Sequence, residues 1–251
     1  MSLCCSTQGD MKVSLNTQYS LLNTIFQMKK FFLIYLSCFF VTIASAQSVK
    51  IDSSYNNSYY QQRMELFANL PSPKKSIVFL GNSITERGMW NELIPGKVIM
   101  NRGIGGDNTF GVLARLDPIV KTKPQKVFLL IGINDLGRGL PVEVIAANYK
   151  KIIQKVITGS PKTTLYIQSV LPMNDDILKA AYLKNKMALI VQLNQEIIKL
   201  AAAYKLTYIN LHEIFDNGKG QLKAELTIDG IHLNPAAYVL WVDYLEKKKC
   251  L

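Results

Sequence analysis

The sequence predicts an α/β fold in which a five-stranded parallel sheet lies between two layers of helices. Two observations lead there. Short apolar runs rich in β-branched residues alternate with longer stretches whose apolar residues recur at helical spacing. The short runs are apolar throughout rather than at every second position, which is the pattern of strands buried on both faces. The order βαβαβαβαβα then implies parallel pairing with helices on both faces, a three-layer α/β/α sandwich.

Each element is legible in turn. Ile77-Val78-Phe79-Leu80 reads as the first strand and ends at Gly81. Val98-Ile99-Met100 is the second, and Val127 to Ile131 the third, closing on Gly132. Thr164 to Val170 and Leu206 to Leu211 are the fourth and fifth. Helical spacing runs over Tyr59 to Leu70, Thr109 to Leu116, Val142 to Ile157 and Leu183 to Tyr204. Pro235 stands where the first residue of a helix is expected, ahead of Ala236 to Leu245. In such sheets ligands bind beyond the carboxyl ends of the strands.

The chain has 251 residues, 49% of them hydrophobic, which suits one globular domain. Its formal net charge of +11 raises the question of an anionic partner. The basic residues are scattered, and the densest group, Lys247 to Lys249, sits at the C-terminus as a solvated tail. A basic patch interleaved with aromatics is missing, so the composition argues against nucleic acid. The four cysteines (Cys4, Cys5, Cys38 and Cys250) form no metal-binding spacing.

The N-terminal part carries its own signal. Lys29 and Lys30 form a basic start, Phe31 to Ile43 an apolar run, and Ala44-Ser45-Ala46 a small-residue cleavage site before Gln47. This is the pattern of a secretory signal peptide over residues 28–46, with an exported domain over 47–251. A transmembrane anchor is the rival, but the run is short for a bilayer span. Residues 1–27 read as a non-native or misassigned extension, with Met28 the initiator. Cleavage after Ala46 leaves Cys250 as the one cysteine of the mature chain. The expected location is periplasmic or extracellular.

The residues following the strands carry the chemistry. Gly81-Asn82-Ser83-Ile84-Thr85 follows the first strand. A serine at a tight strand-to-helix turn projects its hydroxyl over the sheet, and the helix that follows aims N–H groups at the same place. Ser83 also suits a helix N-cap. Asn101-Arg102-Gly103-Ile104-Gly105-Gly106-Asp107 follows the second strand, with glycines that permit positive φ and an exposed N–H for an oxyanion. Neither the dinucleotide nor the P-loop pattern is completed there. Gly132-Ile133-Asn134-Asp135 follows the third strand, where Asn134 can donate an amide N–H or simply make a turn. Near the end, Asp229-Gly230-Ile231-His232 puts a carboxylate three residues before a histidine, near enough to hold its tautomer. The chain has two histidines, and His212 has no equally placed partner in the sequence.

As a set, GNSIT, GIGGD, GIND and DGIHLN resemble the four blocks of the SGNH (GDSL-like) hydrolases, in family order and over about Ile77 to Tyr244. The flavour of GNSIT with DGIHLN is similar to the acetylhydrolase and sialate O-acetylesterase branch. The resemblance implies a flavodoxin-like five-stranded parallel sheet and a serine esterase needing no metal or organic cofactor. It implies Ser83 as nucleophile, His232 as general base and Asp229 as its partner. It implies an oxyanion hole from the backbone of Ser83 and Gly106 and the side chain of Asn134. Asn82 departs from the family, which has Asp there. A histidine base must be neutral, so activity is expected to fall below roughly pH 6.5.

The expected substrate is a small-molecule or glycan ester, most simply an acetyl ester on carbohydrate, with no nucleic acid and no stable membrane insertion once the signal is removed. Trp90, Ile104, Leu136, Arg138, Leu171 and Met173 fall near strand ends and are candidate pocket residues, although ordinary core positions would read the same way. A lysophospholipase or thioesterase with the same triad differs only in chain-length preference. A non-catalytic carbohydrate-binding module would not need the full set of Ser, Gly, Asn, Asp and His. A flavin-binding protein would want a first loop richer in Ser and Thr.

Overall fold

The structure, a computed structural model, describes residues 20–30 and 51–251. The chain divides into two units, residues 1–50 and 51–251. In the first, residues 20–30 form an exposed helix, α1. The extension before residue 20 and the signal segment from residue 31 lie outside the described residues. No helix among the described residues is long and apolar enough to cross a membrane.

The second unit is the predicted sandwich. Helix α2 (Ser58–Asn69) leads into β1 (Ile77–Gly81), the short helices α3 (Ser83–Glu86) and α4 (Trp90–Leu93), and β2 (Ile99–Gly103). Then come α5 (Thr109–Ala114), α6 (Leu116–Lys121), β3 (Lys126–Leu130), α7 (Ile133–Gly137), α8 (Val142–Gly159) and β4 (Thr164–Gln168). The chain closes with α9 (Met187–Ala203), β5 (Thr207–Ile209), α10 (His212–Phe215) and α11 (Pro235–Lys247). All four strand pairings are parallel, in the order β2-β1-β3-β4-β5. Strand order reverses between β1 and β3, which opens a crevice at their carboxyl ends.

The all-apolar strands are buried as their composition demands: β1 is buried at every position. Phe79, Phe128 and Tyr166 occupy matching register positions on neighbouring strands and stack at 4.9 and 4.7 Å. Trp90 extends that stack onto Phe79 at 3.9 Å. On α8, Ile145, Tyr149, Ile152 and Val156 form the buried stripe, and on α9 Ile190, Leu193 and Ile197 do the same. Asn234 caps α11 by accepting the Ala237 N–H at 3.1 Å, so that Pro235 falls in the first turn, where its missing N–H costs nothing.

Among the boundaries that differ from the sequence expectation, three show their cause. The helix expected over Thr109 to Leu116 breaks at Arg115, whose backbone leaves helical geometry while its guanidinium turns inward. The fourth strand stops at Gln168, because the Val170 N–H and carbonyl are both held by the Asn194 side chain at 2.8 and 2.9 Å. The helix expected from Leu183 begins at Met187, because Ala181–Leu183 is a 3-10 turn followed by Asn185 at φ +60°.

Candidate active site

The turn after β1 is set by Asn82, whose Oδ1 accepts the Ile84 N–H at 3.0 Å and caps α3. Ser83 is thereby the first residue of the helix, and its own N–H has no carbonyl four residues back to bond. Asn82 is fully buried, and its Nδ2 has no hydrogen-bond partner among the described residues. The Ser83 Oγ lies 3.0 Å from Nε2 of His232, across 149 residues of sequence.

The segment carrying His232 is held by a local network. Oδ2 of Asp229 lies 2.6 Å from Nδ1 of His232, while its Oδ1 accepts the N–H groups of Ile231 and His232 at 3.1 and 2.8 Å. One carboxylate therefore fixes both the backbone turn and the ring. Burial pushes the Asp229 carboxyl up, but the hydrogen bonds from the His232 ring and the two N–H groups outweigh it and hold it below the usual value. It is thus ionised where an imidazole is neutral. Gly230 sits at φ +90°, and a Cβ there would come within 2.7 Å of the Asn174 carbonyl oxygen and the Leu178 Cα, so the turn admits only glycine.

Across the crevice, Gly106 at φ +76° lies exposed at the end of the glycine loop. Asn134, in α7, donates one amide N–H to the Asp107 carbonyl at 2.8 Å. This ties the amide to the glycine loop and leaves its second N–H. Arg138 bonds the Gly106 carbonyl from outside at 3.3 Å and ties the loop to Ser54.

Beneath this loop lies a buried brace. Arg115 and Asp107 are an ion pair at 2.8 Å with side chains 1% and 0% exposed. The same guanidinium donates to the carbonyls of Arg102 and Gly81 at 2.8 and 2.9 Å. One side chain thus joins the ends of β1 and β2 to the glycine loop.

Asp135, the neighbour of Asn134, accepts the Thr109 N–H at 3.0 Å and the Thr109 hydroxyl at 2.5 Å, and Asn148 donates to that hydroxyl at 2.9 Å. Burial pushes the Asp135 carboxyl from 3.8 up to about 6, against those hydrogen bonds. A raised folded pKa favours the protonated form, so this stabilisation is complete below the unfolded value and is lost as pH rises through about 6. The unfolding free energy of the wild type relative to Asp135→Asn is therefore expected to be larger at pH 4.5 than at pH 7. Urea titrations at both values check this, and a gap that widens toward pH 7 contradicts it.

The expected pocket residues are placed otherwise. Trp90, Ile104, Leu136, Leu171 and Met173 are all buried in the core, Trp90 donating its indole N–H to the Thr85 carbonyl at 2.8 Å. Side chains so fully packed do not line an open pocket, and their nearness to strand ends reflects the core reaching that far. Arg138 alone of the six faces the glycine loop. His212 does have a carboxylate partner, Asp216 at 3.3 Å, one helical turn along α10.

Sequence reasoning passed over Arg115, Asp107, Tyr59, Arg63 and Glu86. The Tyr59 hydroxyl donates to Glu86 Oε1 at 2.5 Å, and Arg63 Nε lies 3.0 Å from the same oxygen. That hydrogen bond to the carboxylate pushes the Tyr59 phenol up, with burial adding to it. Asp107 and Glu86 stand inside or beside the motifs, which is the signal that marks them. Arg115 gives no sign beyond its charge in an apolar stretch. Among the described residues, no group of three or more His, Cys, Asp or Glu side chains is placed to hold a metal ion.

The family model of the GDSL-like Lipase/Acylhydrolase family matches residues 79–240, a span that takes in Ser83, Gly106, Asn134, Asp229 and His232. Platelet-activating factor acetylhydrolase IB subunit alpha2 of Homo sapiens is 23% identical over 193 residues, covering 74% of this chain and 81% of that protein. A solved Streptococcus structure, described provisionally as a platelet activating factor, is 32% identical with a TM-score of 0.68, covering 75% of this chain and 90% of that one. An acetyl xylan esterase, AlAXEase, shares the fold with a TM-score of 0.59 and 20% identity, over 69% of this chain and 98% of that one. Fold and family together define a carboxylic ester hydrolase. The chain belongs to the GDSL-like lipase/acylhydrolase family.

Proposed function

We propose that this protein is an exported serine esterase that removes short acyl groups, chiefly acetyl, from carbohydrate. The observation that carries the catalytic part is the continuous chain from Ser83 Oγ through His232 to Asp229 at 3.0 and 2.6 Å. Acetyl as the acyl group is supported by the acetylhydrolase named among its relatives, and carbohydrate by the acetyl xylan esterase that shares its fold. Export rests on the signal-peptide pattern at residues 28–46.

In this reading, Ser83 Oγ attacks the ester carbonyl carbon while His232 Nε2 takes its proton. Asp229 holds the ring in the tautomer whose Nε2 is free and steadies the imidazolium that forms. The N–H groups of Ser83 and Gly106 and the amide of Asn134 receive the negative charge that builds on the carbonyl oxygen. Collapse breaks the bond to the alcohol oxygen, which leaves with the proton from His232. Water, deprotonated by His232, then attacks the acyl-serine, and the carboxylic acid and free Ser83 result. Asn134→Ala is expected to lower kcat by a factor of about 10² to 10³ with little change in KM. A loss under about threefold shows that Asn134 is not a donor to the oxyanion.

The direct test is hydrolysis of p-nitrophenyl acetate, butyrate and octanoate by residues 48–251, with acetate expected fastest. A preference for octanoate overturns the acetyl assignment and favours a lipid or thioester substrate. A specific feature stands ready for that second reading. Met89, Leu93, Ile228, Leu233 and Val239 line an apolar groove whose walls adjoin Asp229 and His232 in sequence, with Met89 and Ile228 more than half exposed.

A further inference from the structure

Helix α2 precedes the first strand and contains none of the family's motifs, yet it reaches the crevice. Gly105 marks the place: a Cβ on it would stand 4.0 Å from the Cβ of Ser83, 3.4 Å from Cε1 of Tyr59 and 3.0 Å from Oε2 of Glu86. Ser83, an aromatic ring edge and a carboxylate thus converge on Gly105, where even a methyl group would press on Glu86. Tyr59 is 44% exposed, an aromatic ring left partly in water beside a nucleophile.

That ring does not hang freely. Its hydroxyl is bonded to Glu86, Glu86 is paired with Arg63 one turn further along α2, and Arg63 also donates to the Gly103 carbonyl at 3.4 Å. Glu86 lies three residues after Ser83 in α3. The ring is therefore positioned by the helix that carries the nucleophile, so its place relative to the reacting oxygen is fixed before substrate arrives. Ordering already done lowers the cost of binding.

We propose that Tyr59, held by Glu86 and Arg63, is the platform on which the sugar ring of the acetylated substrate stacks, placing its ester against Ser83. This rests on the carbohydrate reading above and assigns the residues that recognise the alcohol half. A sugar ring has an apolar face of C–H groups that suits an aromatic surface, and rim hydroxyls that suit a carboxylate and a guanidinium. An acyl chain or lipid tail laid here would cover Glu86 and Arg63 without replacing their hydration, which is unfavourable. The polar wall around Gly105 and the apolar groove around Ile228 are thus built for different chemistry.

The test compares kcat/KM on monoacetylated methyl xyloside, which keeps two free hydroxyls, with kcat/KM on p-nitrophenyl acetate, in the wild type and in Tyr59→Ala, Tyr59→Phe and Tyr59→Leu. The ratio of sugar ester to nitrophenyl ester is expected to fall by about tenfold in Tyr59→Ala and Tyr59→Leu, mostly through KM. Tyr59→Phe keeps the ring and is expected to hold the ratio within about threefold. Tyr59→Leu retains the packing of α2, so it serves if Tyr59→Ala does not fold. A ratio unchanged in Tyr59→Leu, whatever its melting temperature, overturns the proposal and makes the cluster a fastener for α2. A wild type that cleaves p-nitrophenyl acetate but no acetylated sugar overturns the carbohydrate reading itself, and the platform with it.

Discussion

Ser83→Ala is expected to lower kcat on p-nitrophenyl acetate by roughly 10⁴- to 10⁶-fold while leaving the fold intact. The side chain sits at the first position of a helix, where alanine is well tolerated, and among the described residues its Oγ makes one hydrogen bond, to His232. The loss is not expected to be total. In the proposed mechanism, donors at Gly106 and Asn134 remain once Ser83 Oγ is removed, and residual rates of roughly 10³- to 10⁴-fold over water are usual when a triad member is removed. His232→Ala is expected to cost a similar factor, and the double variant no more than either single, because the two act as one unit. Burst kinetics with unchanged circular dichroism separate the outcomes. A Ser83→Ala protein retaining more than a tenth of wild-type activity would remove Ser83 from the mechanism.

Arg115→Met is expected to destabilise the protein by about 3–5 kcal/mol, the usual cost of breaking a buried ion pair from one side. At a urea m-value of about 2 kcal/mol/M, that lowers the midpoint by roughly 1.5–2.5 M. The reason is specific. Arg115 satisfies the carbonyls of Arg102 and Gly81 as well as the Asp107 carboxylate, and methionine satisfies none of them. Burial already pushes the Asp107 carboxyl up with the guanidinium beside it, so without Arg115 it takes up a proton. Its Oδ1 also accepts the Asn108 N–H at 2.9 Å, and the carbonyl of Asp107 holds Asn134. The surviving folded fraction is therefore expected to turn over more slowly as well. A midpoint shift below about 0.5 M would mean that the brace contributes little.

The fold was legible because its signals are local. A run such as Val127 to Ile131 must be covered on both faces wherever it lies, and Pro235 after a capping Asn starts a helix in almost any context. The end of the fourth strand moved through a partner distant in sequence, Asn194 holding Val170. The candidate site residues were legible as a set of motifs, and the structure brings Ser83, His232 and Asp229 within hydrogen-bond reach. Ser83, Gly106, Asn134 and the pair Asp229 and His232 each sit in a short turn or at a short helix whose shape depends on neighbours within a few residues. The pocket reading failed for Trp90 and Met173 because nearness to a strand end does not say which way a side chain faces, and both face inward.

By itself the sequence determined the parallel α/β class, the strand ends where the motifs gather and the carboxylate that bonds His232, since these depend on periodicity and contacts within a turn. Only the tertiary structure decided that Oγ of Ser83 meets a ring 149 residues away, that Arg115 joins two strands to the glycine loop, and that α2 brings Tyr59 and Ser83 to the same glycine. Those contacts exist because the sheet fixes where the turns stand relative to one another. The free energy that holds them there is spread over the whole core, beyond the reach of any short stretch of chain.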